Sequence, residues 1–117
     1  MIAFSSAQRY YFYQEAADMR KGFDGLSALV STALKRDPLS GDVFVFINRR
    51  RTHIKLLVWD RNGFVLFYKR LERGTFEIPE SGQLSWHQLI LMLEGISLKT
   101  VRYRKRYSVP EKDKITG

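Results

Sequence analysis

Seven basic residues in two stretches carry the strongest chemical signal in this sequence. Arg49, Arg50 and Arg51 form one run with Lys55 just beyond it, and Lys69, Arg70 and Arg73 form the other. Guanidinium and ammonium groups at this density suit phosphate oxygens, because each contact with a polyanion releases condensed counterions. A second basic group lies near the end of the chain, where Val101 to Tyr107 (VRYRKRY) interleaves Arg102, Arg104, Lys105 and Arg106 with Tyr103 and Tyr107. Rings in a basic tract can stack on unpaired bases, and can equally pack back on the domain. For the first group the bland alternative is a solvated hairpin tip, since loops often carry charge.

Catalytic chemistry has weaker support. A metal-dependent phosphoryl-transfer site needs two or three converging carboxylates, and the candidates are Asp18, Asp24, Asp42 and Asp60. Each has a simpler reading: Asp18 as a helix N-cap, Asp24 in the first helical turns, Asp42 in a loop after Gly41, Asp60 opening a hairpin turn. His53 and His87 lack metal-ligand spacing. No phosphate-binding G-x-x-x-x-G-K-[ST] loop, no G-x-G-x-x-G and no G-x-S-x-G elbow occurs. The absence of cysteine removes disulfides, thiolate metal sites and Cys nucleophiles, and fits a reducing compartment. The expectation is a non-enzyme without metal or cofactor.

The elements that must position these residues follow from periodicity. Arg9 to Gln14 (RYYFYQ) reads as an aromatic-rich strand. Phe23, Leu26, Leu29, Val30, Ala33 and Leu34 repeat at helical spacing, with Asp18 a plausible N-cap and Asp37-Pro38 the stop; Gly22 and Gly25 weaken the first turns and leave room for a start several residues later. Three strands come next: Val43 to Asn48, Ile54 to Asp60 and Phe64 to Leu71, the last two joined through Asn62-Gly63 as a hairpin. Thr75 to Ile78 suggests a short edge strand. Ser85 and Gln88 make an S-x-x-Q capping box for a second helix through Leu93, with Gly95 at its end. The order predicts an α+β fold with an antiparallel meander sheet and two helices. Apolar residues on both parities of the strands predict a sheet covered on both faces or curled into a partial barrel.

Topology then gathers the charge. In a meander, the Asn48 to His53 loop and the end of the last strand lie at the same end of the sheet. With a two-residue turn at Asn62-Gly63, Lys55 is expected to face Arg70. Arg49, Arg50, Arg51, Lys55, Lys69, Arg70 and Arg73 should therefore converge, diluted by Glu72, and like charges side by side favour an anionic partner. The chain of 117 residues carries 20 Lys+Arg against 12 Asp+Glu, a net charge of +8. From Lys99 onward seven bases stand against two acids, so the organisation reads as one domain over 1–98 and a basic tail over 99–117. From Pro110 the tail reads as disordered. The apolar runs are too short to cross a bilayer, and the opening residues lack the pattern of a signal peptide, which points to a cytoplasmic protein.

Three stretches together resemble a known family: Asp18-Met19-Arg20-Lys21-Gly22-Phe23-Asp24-Gly25-Leu26, then Asp37-Pro38-Leu39-Ser40-Gly41-Asp42 into Val43 to Phe46, then Asn48-Arg49-Arg50-Arg51 through Lys55 to Asp60 and Tyr68 to Phe76. Leu91 to Ile96 also fits. The chain is similar to the TnpB-type accessory protein, the second open reading frame, of bacterial insertion-sequence family sixty-six, and not to the RNA-guided nuclease that shares the TnpB name. The resemblance implies a non-catalytic accessory factor encoded beside a separate transposase and needed with it for transposition. It supplies no catalytic residues. DNA at the element ends and the partner transposase are the expected partners, and an adaptor that binds the transposase without touching DNA is the alternative. Under this likeness Asp18, Arg20, Lys21 and Asp24 become a candidate surface for the transposase or DNA, with Gly25 allowing close approach; a cap, a salt bridge and tight helix packing explain the same motif. Oligomeric state is open.

Overall fold

The computed structural model describes residues 4–95. The basic tail, with Arg102, Arg104, Lys105 and Arg106, lies outside the described residues. The aromatic run forms strand β1 at Tyr10–Phe12, and helix α1 spans Phe23–Thr32. Strands β2 (Val43–Ile47), β3 (His53–Asp60) and β4 (Gly63–Arg70) follow. A two-residue strand β5 (Gln83–Leu84) leads into helix α2 (Trp86–Leu93). The five strands make one sheet in the order β4-β3-β2-β1-β5.

Strands β2 to β4 are the antiparallel meander that the sequence predicts. Strand β1 corrects the rest of that expectation, because it runs parallel to β2, with Tyr10 opposite Val43 and Phe12 opposite Val45. The cause is α1: it returns the chain across one face of the sheet, so β2 starts at the same end as β1. On its other side β1 pairs antiparallel with β5. The α+β class stands: among the described residues the sheet is mixed, has β4 and β5 for edges and does not close into a barrel. Thr75 to Ile78 forms no strand. The Phe76 N–H bonds the Arg51 carbonyl (2.6 Å), its side chain enters the core, and β5 takes the edge.

Alternation of side chains across the strands divides the core in two. On one face Tyr11, Phe44, Phe46 and Leu57 pack against Leu26 and Val30 of α1. On the other, Tyr10, Phe12, Val43, Val45, Ile54, Leu56 and Val58 meet Phe76, Leu84 and the α2 residues Leu89 and Met92. All five residues of β2 are buried, as a strand covered on both faces requires. Burying each such side chain contributes roughly 1.5–3 kcal/mol, so the double-sided sheet is the main source of stability.

Helix α2 carries the predicted capping box: the Ser85 hydroxyl accepts from the Gln88 N–H (3.1 Å), and the Gln88 side chain accepts from the Ser85 N–H (2.9 Å). Helix α1 departs from expectation. Its N-cap is Gly22, with no side-chain cap, because the Asp18 carboxylate is already bonded to Arg20 and residues 18–21 form a separate turn, closed by the Lys21 N–H on the Asp18 carbonyl. The hairpin is also shifted. Its loop is Arg61-Asn62, with Asp60 paired to Gly63, Arg61 at φ 57° and the Asn62 N–H closing on the Asp60 carbonyl. Lys55 therefore faces Tyr68, and His53 faces Arg70. A slip of two residues keeps every side chain on its predicted face, where a slip of one would have reversed them all. Among the described residues no helix is long and apolar enough to cross a membrane.

Candidate nucleic-acid interface

The loop between β2 and β3 is held from within by Asn48. Its Oδ1 accepts from the backbone N–H groups of Thr52 (2.9 Å) and His53 (3.0 Å). Its Nδ2 donates to Thr52 Oγ1 (3.2 Å) and His53 Nδ1 (3.1 Å). The Arg51 N–H closes a turn on the Asn48 carbonyl (3.0 Å), with Arg51 at φ 62°, and the Asn48 N–H bonds the His53 carbonyl (3.2 Å). Two outside ties fix the loop to the sheet: Leu71 N–H to the Thr52 carbonyl (2.8 Å) and Phe76 N–H to the Arg51 carbonyl (2.6 Å). The product is a compact loop that presents Arg49, Arg50 and Arg51 to solvent.

Register and the two backbone ties bring the segments that carry five of the seven expected bases to this end of the sheet. Arg70 ends β4 opposite His53. Arg73 lies in the exposed segment between the anchored residues Leu71 and Phe76. Arg70 bonds Glu72 through Nε (2.9 Å). Among the described residues no carboxylate comes within ion-pairing distance of Arg49, Arg50, Arg51 or Arg73. Arg49, Arg50 and Arg51 thus present positive charge on one internally bonded loop with no described carboxylate to offset it.

Lys55 and Lys69 leave that set, although register places both at the same end. Lys55 is only 6% exposed. Its Nζ donates to the carbonyls of Met19 (2.7 Å) and Lys21 (2.8 Å) and lies 4.6 Å from the centre of the Tyr68 ring. Lys69 sits on the opposite face, where its Nζ donates to the Leu93 carbonyl in the last turn of α2. A cation there suits the negative end of the helix dipole. Both ammonium groups hold the fold together. The signal for Lys55 was in the sequence, as one lysine inside the apolar run Ile54 to Val58, where a charge needs internal partners.

Those partners explain the motif that opens α1. Asp18 Oδ1 accepts from the Arg20 N–H (2.9 Å), and the carboxylate meets the Arg20 guanidinium through Nε and Nη2, the latter at 2.8 Å. The Arg20 side-chain bonds, then its backbone bond, lower the Asp18 pKa to about 2. The turn so formed points the Met19 and Lys21 carbonyls at Lys55. The Lys21 stem runs closely over Gly25: a Cβ there would stand 3.1 Å from Lys21 Cβ and Cγ, so the stem would have to give by a few tenths of an ångström. Asp24 is exposed in the first turn of α1, where a negative charge suits the helix dipole. Arg20→Ala should return Asp18 toward the ordinary carboxylate range. In the native chain the pair contributes above the unfolded Asp value of roughly 3.9 and is lost as pH falls through about 2. Carboxyl NMR titration of both chains checks this, and an unmoved midpoint would show that Arg20 is not the cause.

Two of the other candidate carboxylates are matched to arginines: Asp42 to Arg9 (3.4 Å) and Asp60 to Arg61 (3.8 Å). No group of three or more metal-ligating side chains gathers among the described residues.

Residues 8–103, which span both the arginine loop and the Asp18 turn, match the family model described as IS66 Orf2 like protein (TnpB_IS66). The chain belongs to the IS66 Orf2-like family. It is 36% identical over 116 residues to the uncharacterized protein y4jC of Sinorhizobium fredii (strain NBRC 101917 / NGR234), covering 96% of this chain and 98% of that protein. It is 43% identical over 83 residues to y4hO of the same strain, covering 68% and 72%. No solved structure matches it. The family is that of transposition-associated accessory proteins of an insertion sequence and is not known as catalytic. The structure thus gives this IS66 Orf2-like protein a physical account of its motifs: the Asp18 to Gly25 segment receives a buried lysine, and Asn48 shapes the arginine loop.

Proposed function

We propose that the protein serves transposition as a non-catalytic factor that grips DNA phosphates with Arg49, Arg50, Arg51, Arg70 and Arg73. The observation that carries this reading is the Asn48-braced loop with three exposed arginines that no described acid neutralises. A pre-shaped loop loses little conformational freedom on binding, so its Coulombic attraction is retained as affinity. Arg102, Arg104, Lys105 and Arg106 would extend the same electrostatic contact from outside the described residues. The reading places the protein with DNA in the cytoplasm.

A second reading is that the protein is an adaptor for the transposase, docking through Asp18, Arg20, Lys21 and Asp24. The exposed Phe23 among these charged groups favours it, since an aromatic ring with polar neighbours makes a good anchor for a protein partner.

Salt-titrated binding of the isolated protein to element-end DNA separates the two. Arg49, Arg50 and Arg51 replaced together by Ala should flatten the slope of log K against log salt by about 2–3, at about 0.9 for each phosphate left unneutralised. The fold should survive, because all three side chains point into solvent. An unchanged slope overturns the DNA reading. Binding that needs the transposase and ignores salt favours the adaptor.

A further inference from the structure

The β3–β4 register places a second feature beside the arginine loop. His53 faces Arg70 and Lys55 faces Tyr68, so these four side chains share the α1 face of the sheet at its basic end. Tyr68 remains 52% exposed. Its ring is held from within by the Lys55 ammonium 4.6 Å from its centre and flanked by the His53 ring at 5.9 Å. Between His53, Tyr68 and Arg70 lies an open cleft of about 190 Å³.

The donors of this cleft have a defined orientation. Asn48 Oδ1 is committed to two backbone N–H groups, so its amide presents Nδ2 to His53 Nδ1. Nδ1 must therefore accept, from Nδ2 and from the Thr52 hydroxyl (2.7 Å). The ring proton is thereby assigned to Nε2, which has no partner among the described residues. Arg70 uses Nε on Glu72, and its two terminal nitrogens bond nothing among the described residues. The cleft thus offers one aromatic ring fixed by a cation, one imidazole N–H donor and one guanidinium edge. That is a set for a flat π-system bearing an anionic group.

We propose that this cleft takes one unpaired nucleotide of single-stranded DNA, with the base stacked on Tyr68 and its phosphate held by His53 Nε2–H and Arg70. The inference deepens the DNA reading and rests on it: Arg49 to Arg51, adjacent in the chain to His53, would carry the neighbouring phosphates. A base inside a duplex is stacked on both sides and cannot present a face to Tyr68, so the cleft selects for unpaired strands. Lys55 favours the stack, because a cation on the inner side of the Tyr68 ring reduces the rotamer freedom that a stacking base would otherwise remove.

The test uses the full chain, a fluorescent dT15 oligonucleotide and a duplex of matched phosphate number. Tyr68→Leu keeps an apolar cover over Lys55 but offers no ring, and should weaken dT15 binding about 5- to 100-fold, the range of one base–aromatic stack. Duplex binding should stay within about twofold, and Tyr68→Phe should restore dT15 binding. Equal loss on both DNAs, or no loss on dT15, overturns the proposal while leaving the arginine loop intact. If the unaltered protein binds neither DNA, the DNA reading itself fails and this inference with it. Were Tyr68→Leu to misfold, the NMR signals of His53 in the unaltered protein decide: they should shift on adding dT15 and not duplex, and unmoved signals count against the cleft.

Discussion

Lys55→Met should lower the free energy of unfolding by about 2–4 kcal/mol while leaving the salt dependence of the proposed DNA binding unchanged. Methionine reproduces the stem of the lysine, so the packing between Phe46 and Tyr68, its neighbours across the sheet, changes little. What disappears is the ammonium that bonds the Met19 and Lys21 carbonyls. Bonds that involve a charged group contribute about 1.5–3 kcal/mol each, and the relief of burying a charge offsets part of that loss. The turn over residues 18–21 should loosen first, visible as faster amide exchange there than in β2. Urea unfolding measures the global loss. Undiminished stability would mean that the turn holds without Lys55. A flattened salt slope would mean that its charge reaches phosphate after all.

The same residue shows where a reading of composition stops. Counting bases assigns seven charges to one surface, and two of them turn inward to carbonyls on opposite faces of the sheet. Charge becomes a surface property only once burial is known, and burial depends on partners far along the chain: Lys55 and Met19 are 36 residues apart. The signals that read correctly were local. The capping box of Ser85 and Gln88 needs only a spacing of three, and the meander from β2 to β4 needs only alternation and short turns. The parallel placement of β1 has no local signature, because it depends on how far α1 carries the chain back. The hairpin lay between these cases. Asn62-Gly63 marked a turn correctly, and the shift by two residues followed from Arg61 taking the positive φ that glycine is expected to take. The helix start was legible only in part: Gly22 and Gly25 signalled a start later than Asp18, and the bond of the Asp18 side chain to Arg20 takes up the carboxylate that would have capped an earlier one.

The arginine loop illustrates the difference between naming a site and building one. Its three arginines were visible as a run, but the residues that aim them were not. Asn48 is a single polar side chain whose four bonds define the loop, and nothing distinguishes it by type from any other loop asparagine. Phe76 supports the loop from the core side, through a backbone bond that no periodicity announces.

That support leads to the largest stability effect expected of a single substitution near the site. Phe76→Ala should cost about 3–5 kcal/mol, because the ring is fully buried in the cluster that joins Ile54 and Leu56 of β3 to Leu89 and Met92 of α2. Phe76→Leu keeps much of the volume and should cost less, within about 1.5 kcal/mol. Because the residue's N–H also bonds the Arg51 carbonyl, the proposed DNA binding predicts a second penalty for the Ala chain: below its unfolding transition, a looser loop must be ordered on binding, so affinity for DNA should fall. The salt slope should nevertheless hold, since the same arginines remain to meet the same phosphates. Urea unfolding and salt-titrated binding on the two variants check both halves. A loss of under about 1 kcal/mol for Phe76→Ala would remove the segment after Arg73 from the core. A fall in slope as large as that from removing the arginines themselves would show that Phe76 determines which phosphates are met and not how firmly the loop is held.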